Sequence, residues 1–279
     1  MNIRKPAVSG RFYPGNRDEL INLLHSIHLK EEKKFMTDLT PPSIIGGICP
    51  HAGYVYSGYH AMHLFEIIKR HPEPIDTLII IHPNHNGVGA EIALDENEAW
   101  ETPLGTIMLD HELMDQMQFP KDSLAHKFEH SAEIMVPLIQ YKIPYEVKIV
   151  PIAMTRQIPE LARLMATRIY DANKVVKRKL FIIASSDFSH YVSPEHGHKM
   201  DQMVIDEIIT FDTDGVYQAV KKNNISVCGF GPIMTLMEYS RKVVKYPEVK
   251  ILRRGHSGEI HPSREVVDYI TMLFFSQII

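Results

Sequence analysis

Four polar loops carry the residue types from which a metal or acid–base site is built. They are Pro50-His51-Ala52-Gly53-Tyr54, His82-Pro83-Asn84-His85-Asn86-Gly87, Ser185-Ser186-Asp187-Phe188-Ser189-His190 and Cys228-Gly229-Phe230-Gly231-Pro232. Imidazole and thiolate are borderline to soft donors, suited to iron(II), zinc or copper. Two histidines and a third ligand leave coordination positions open, as a catalytic ion needs. Asp187 and His190 add a carboxylate that could orient an imidazole and an imidazole that could move a proton near neutral pH. A further group, Glu129-His130-Ser131-Ala132-Glu133, offers His130 and Glu133 to the same cleft. Each feature also has a plain structural reading. A histidine after a strand is commonly a turn residue, and an aspartate in Ser-Ser-Asp favours a turn or cap. Acidic residues at a helix start are favoured by the helix dipole. The separations between His51, His85 and Cys228 are long and form no compact motif, so the case rests on whether the loops converge.

What must bring them together is a set of apolar strands. Apolar periodicity predicts strands over 43–49, 77–81, 147–153, 180–184, 249–252 and 266–275, with a further short apolar strand at 225–227. It predicts helices over 18–29, 58–70, 134–141, 159–172, 200–210, 216–222 and 232–243. Continuous β-branched runs such as 77–81 suit strands buried on both faces. Strands alternating with helices make an α/β fold, with a mixed or largely parallel sheet covered by helices. In such folds ligands gather beyond the carboxyl ends of the strands. Each of the four loops directly follows an apolar segment, which is the placement that rule requires.

Composition narrows the function classes. The chain has 279 residues, 44% apolar and 23% charged, with a formal net charge of −4. That charge gives no pull towards nucleic acid or an anionic membrane. No apolar run approaches the ~20 residues of a membrane helix, and the first residues lack the apolar stretch of a signal peptide. Two cysteines, Cys49 and Cys228, read as thiols in a reducing compartment, so a cytoplasmic location is expected. No P-loop or dinucleotide fingerprint is present. Residues 1–279 are read as one domain without repeats. Sixteen histidines, several beside Pro, Gly, Asp or Ser, reinforce the search for a metal or acid–base site.

Several stretches taken in order resemble the Memo family. They include Ala7-Val8-Ser9-Gly10-Arg11-Phe12-Tyr13-Pro14, Pro50 to Gly58, Pro83-Asn84-His85, Trp100 to Gly105, His130 to Glu133, Ser185 to Tyr191 and Cys228 to Pro232. One local departure is His82, where the family more often has glycine before the proline. The resemblance implies a fold similar to class III extradiol dioxygenases, non-haem iron enzymes that open catechol rings. It implies a metal held by His51, His85 and Cys228, with Asp187 and His190 nearby and His130 and Glu133 lining the cleft. Iron(II) would be the first expectation, with copper or zinc as alternatives. The ring-cleaving relatives use two histidines and a glutamate, so Cys228 is a change of donor. The family also implies a small-molecule or peptide ligand, and radical-SAM and AMMECR-type partner proteins. Three readings follow: a dioxygenase-type oxidoreductase, a metal- or ligand-binding protein without turnover, and a metal-assisted hydrolase.

Overall fold

The computed structural model describes residues 2–277. Its elements, in chain order, begin with β1 (Ile3–Arg4), α1 (Arg17–Glu31), β2 (Ser43–Cys49), α2 (Tyr54–Arg70) and β3 (Thr77–Pro83). Short elements follow: β4 (Ile92–Leu94), β5 (Ala99–Thr102), β6 (Gly105–Met108), α3 (His111–Met117), α4 (Leu124–Lys127) and α5 (Met135–Lys142). Next come β7 (Lys148–Met154), α6 (Pro159–Val176), β8 (Leu180–Ser185), β9 (His190–Val192) and α7 (Pro194–Ile209). The chain closes with α8 (Thr213–Lys222), α9 (Phe230–Val243), β10 (Glu248–His256) and β11 (Val266–Ser276).

The runs without polar alternation form the middle of the main sheet, because both of their faces are covered by helices. Its strand order is β10-β11-β2-β8-β3-β7-β4, with β9 paired to β11. The centre β2-β8-β3-β7 is parallel, and the flanks at β10, β11 and β4 are antiparallel. A small second sheet, β1-β5-β6, packs the N-terminal strand parallel to β5. The expected α/β fold with a mixed sheet is therefore observed. No described helix is long and apolar enough to cross a membrane.

Parallel pairing fixes the site. Cys49 pairs with Ser185 and Ile81 with Ala184, so β2, β8 and β3 end at the same edge of the sheet. The loops carrying His51, His85 and Asp187 then leave from adjacent strand ends. Helix α2 starts at Tyr54, four residues before the expected start at Gly58, because Tyr54 N–H donates to Phe12 O at 2.8 Å and pins the first turn. The segment 225–227 is not a strand, which corrects the expectation. It is a link between α8 and α9, held by Ile225 N–H to Val220 O (3.0 Å) and Cys228 N–H to Asp187 O (3.3 Å) rather than by a ladder. Asn224 before it has a left-handed backbone, which turns the chain out of sheet pairing.

Candidate functional site

The convergence is close. Ligand atoms of His51, His85 and Cys228 all lie within 4.8 Å of one another. The ring centroids of His51, His85 and His130 are 4.8–5.3 Å apart, with His85 and His130 stacked. A second group, His85, Glu129 and His130, meets the same 4.8 Å limit.

Hydrogen bonds decide which nitrogen of each ring faces the cleft. The Ser185 hydroxyl donates to Ser131 O at 2.7 Å, so its oxygen accepts from His51 Nδ1 at 2.8 Å. That leaves the His51 Nε2 lone pair directed at Cys228 Sγ, 3.2 Å away. His85 Nδ1 meets Glu129 Oε1 at 2.9 Å, and His130 Nδ1 meets the same oxygen at 3.1 Å. His190 Nδ1 meets the Ser226 carbonyl at 2.8 Å. A carboxylate or carbonyl can only accept, so each of these nitrogens carries the proton. All four imidazoles are thus held through Nδ1–H, and the Nε2 of His51 faces the Cys228 sulfur.

Burial sets the charges. It holds His51 well below its ordinary titration range, helped by the neighbouring His130 and His85. Burial pushes the Cys228 thiol up, and the Asp187 carboxylate pushes it further. Asp187 is itself raised by burial, against the pull of the His51 N–H, which donates to Oδ1 at 2.8 Å, and of His190 and His130. Burial also opposes ionisation of Glu129, but hydrogen bonds from His130 and His85 outweigh it and hold that carboxyl far below the usual range. Asp187 N–H donates to Cys228 Sγ at 3.2 Å and Asp187 O accepts from Cys228 N–H, so the two loops clasp each other. Gly229 lets them do so, since a Cβ there would lie 2.2 Å from Ser185 O.

The donor set fits a transition metal. Bonds of about 2.1 Å to nitrogen and 2.3 Å to sulfur in a tetrahedral site put those atoms about 3.5 Å apart. The observed 3.2 Å needs only a small opening, with the thiol proton lost.

Not every expected residue lines the cleft. Glu133 does not, and this is a correction. Its carboxylate is buried against the N-terminal arm, where it pairs with Arg4 at 2.7 Å. It also accepts from Ala7 N–H, Val8 N–H and Tyr13 Oη at 2.7–3.0 Å. No acceptor is left for the site. Arg4 in turn donates to the carbonyls of His126 and Glu129, so the arm braces the turn that carries Glu129 and His130. His190 is the first residue of β9, placed at the rim and near enough for its charge to bear on both His51 and Asp187. Glu129 is the residue that sequence reasoning missed. The acidic start of the turn marked it only as a cap, yet it orients two imidazoles. His82 lies within β3, buried, with Nε2 3.2 Å from His126 Nδ1 and Nδ1 3.1 Å from Ser131 Oγ.

This arrangement can be set beside known proteins. The sequence model of a family described as Memo-like protein matches residues 4–273. A MEMO1 family protein of Pyrobaculum aerophilum is 38% identical over 283 residues, covering 99% of this chain and 100% of the relative. Another, of Methanosarcina mazei, is 36% identical over 274 residues, covering 96% of this chain and 97% of the relative. Among solved structures, an uncharacterized protein of Escherichia coli K12 overlaps at TM-score 0.45 and 9% identity, over 77% of this chain and 92% of that one. That last likeness is too slight to build on. With a family match spanning nearly all of its length and relatives aligned over almost their whole chains, this chain belongs to the family of Memo-like proteins.

Proposed function

We propose that the cleft binds a transition-metal ion through His51, His85 and Cys228, iron(II) first and copper or zinc as alternatives, and that the protein is an oxidoreductase of extradiol-dioxygenase type. The observation that carries this reading is the shared orientation of the imidazoles. His51 and His85 are fixed through Nδ1 and present Nε2 beside the Cys228 sulfur, with all ligand atoms within 4.8 Å. A buried carboxylate behind a ligand histidine fixes its tautomer and raises its basicity, and Glu129 stands in that relation to His85. When bound, iron(II) supplies Lewis acidity and electrons for oxygen chemistry. The chain's own residues supply the rest. His190 holds an acceptor nitrogen at the rim for a substrate hydroxyl proton. Asp187 fixes the backbone of His51, and the His130 ring packs against His51 and His85.

A second reading, a metal-binding protein without turnover, is favoured by one observation. Cys228 provides a thiolate where ring-cleaving enzymes use a carboxylate, and a soft donor suits copper(I). Radical-SAM and AMMECR-type partners belong with this reading.

Two experiments test the proposal. Elemental analysis of protein purified without oxygen, with His51→Ala and Cys228→Ser beside it, is expected to show metal in the parent and little in the variants. Equal metal in all three rejects the ligand set. Oxygen uptake by iron-loaded protein across a panel of catechols then separates turnover from binding, and no uptake with any catechol rejects the dioxygenase reading.

A further inference from the structure

Behind the loop that carries Asp187 and His190 lies a second, separate pair of acidic groups. Asp201, on α7, is fully buried, and Asp268, on β11, is 5% exposed. Asp201 Oδ1 accepts from Ser189 N–H at 3.1 Å and from Ser189 Oγ at 2.6 Å. Asp268 takes the other side of the same loop through its main chain. Its N–H donates to Ser189 O at 2.8 Å, and its carbonyl accepts from Phe188 N–H at 2.9 Å. Every polar group of Ser189 is therefore held by Asp201 or Asp268, and Ser189 is flanked by the segment joining Asp187 to His190.

Two further oxygens of the pair, Asp201 Oδ2 and Asp268 Oδ2, are buried and, among the described residues, take no N–H or O–H donor from any other group. The two side chains lie in hydrogen-bond contact with each other. Two carboxylates in such contact repel, and a buried charge without a partner is costly. A single proton between them removes both problems. The helix is built to allow the contact, since a Cβ on Gly197 would lie 2.1 Å from Asp268 Oδ2.

We propose that Asp201 and Asp268 share one proton, and that this protonated pair positions the loop bearing Asp187 and His190 and releases it when the proton is lost. The proton rests on Asp268, whose carboxyl is pushed up to about 8 by burial first and by Asp201 second. Asp201 stays the acceptor for Ser189. The other groups facing the pair are Arg254 and His256 of β10, Glu195 and His198 of α7, and Tyr269 of β11. Arg254 favours the ionised forms, but its guanidinium donors go to Gln202 Oε1 and His198 O and not to the pair. Asp201 and Asp268 are positioning residues, not catalytic ones.

The proposal is tested on the metal-free full chain, so its outcome does not depend on whether the cleft binds metal. Amide exchange at Phe188 and Ser189, corrected for the intrinsic rate, is followed across about pH 7 to 9. The parent protein is expected to lose about tenfold in protection at these amides over that span, as one proton leaves. Asp201→Asn keeps an acceptor for Ser189 and gives Asp268 a permanent donor, so its protection is expected to stay level. A flat profile in the parent, or an equal fall in Asp201→Asn, overturns the proposal. Infrared difference spectra of the parent against Asp268→Asn give an independent readout. A protonated-carboxyl band at neutral pH that vanishes in the variant supports the shared proton, and no such band overturns it.

Discussion

Glu129→Gln isolates what an orienting carboxylate contributes to the cleft. Glu129 is buried and ionised, with Oε1 facing His85 Nδ1, His130 Nδ1 and the Ser131 N–H, and Oε2 facing His85 N–H at 2.7 Å and Asn86 Nδ2 at 3.2 Å. A glutamine keeps one acceptor oxygen and turns the other into a donor, so at least one set of N–H groups meets an N–H. Hydrogen bonds to a charged group contribute about 1.5–3 kcal/mol each, and loss of one or two sets the expected destabilisation at roughly 3 kcal/mol. For a chain of this size that lowers Tm by roughly 5–10 °C. Losing the partner of a ligand histidine typically weakens metal affinity about 10–100-fold. The assay is anaerobic calorimetric titration of iron(II) or zinc, with thermal melts on the same samples. Glu133→Gln is the control, because it breaks a buried carboxylate cluster close in sequence that touches no imidazole. It is expected to lower Tm by a similar amount and leave affinity within about threefold. The reasoning is refuted if both variants bind metal equally well, since Glu129 would then brace the turn without orienting His85.

Three further outcomes follow from the same geometry. Cys228→Ser is expected to keep its stability within about 1 kcal/mol and lose most metal affinity. Because burial and Asp187 hold the thiol protonated, metal uptake by the parent protein should release about one more proton than uptake by the variant. Calorimetry in two buffers of different ionisation enthalpy reads this, and equal release refutes it. Gly229→Ala forces a Cβ to 2.2 Å from Ser185 O and 2.6 Å from Ser186 Cβ. Backbone must move, so a loss of about 1–3 kcal/mol is expected, together with weaker metal binding; a parent-like denaturation midpoint refutes it. His82 and His126 are held down to about 3 and about 4, chiefly by burial. A lowered imidazole contributes stability that is present above about 6.5 and is lost as pH falls towards those values. His126→Gln should therefore flatten the fall of Tm between about pH 6 and 4, and an unchanged slope counts against neutral burial.

The parts of the fold that were legible from sequence are those with a single dominant cause. The runs at 43–49, 77–81 and 180–184 are apolar on both faces, and only a central strand accounts for that. The loops after them could then be placed together by the geometry of parallel pairing. Residues 86–133 were unreadable because strands of three or four residues show no period. They are held by individual polar contacts such as Trp100 Nε1 to Asp95 Oδ2 at 2.6 Å. The apolar segment at 225–227 misled because burial alone resembles strand, whereas its hydrogen bonds go to α8 and to the Asp187 loop. Glu129 and Glu133 show the limit of local reasoning. Both sit in one acidic turn, four residues apart, and the chain path sends one carboxylate to the imidazoles and the other to the N-terminal arm. Nothing within the turn distinguishes them, because Arg4 and Tyr13 are more than a hundred residues away in sequence.

The charge pattern ties these observations together. In the protein alone, burial keeps His51 neutral and the Cys228 thiol protonated, and Asp187 is raised as well. Glu129 is the ionised group, held in that form by the imidazole N–H donors around it. Ionising the thiol beside Asp187 would place two anionic groups in a buried space, and burial penalises each of them. A divalent cation changes the sign of that argument, because its field favours the thiolate and offsets a neighbouring carboxylate. The same four loops that make the cleft hostile to an unpartnered negative charge therefore make it receptive to a cation that brings the compensating positive charge. With Cys228 as the proposed third ligand in place of a carboxylate, this balance would shift towards dependence on the cation. A buried carboxylate starts from an ordinary value near 4, whereas a thiol starts near 8.5 and is here pushed higher still. Proton release on metal uptake is accordingly the outcome expected of a thiolate donor at Cys228, and it would distinguish this cleft from one built on two histidines and a glutamate.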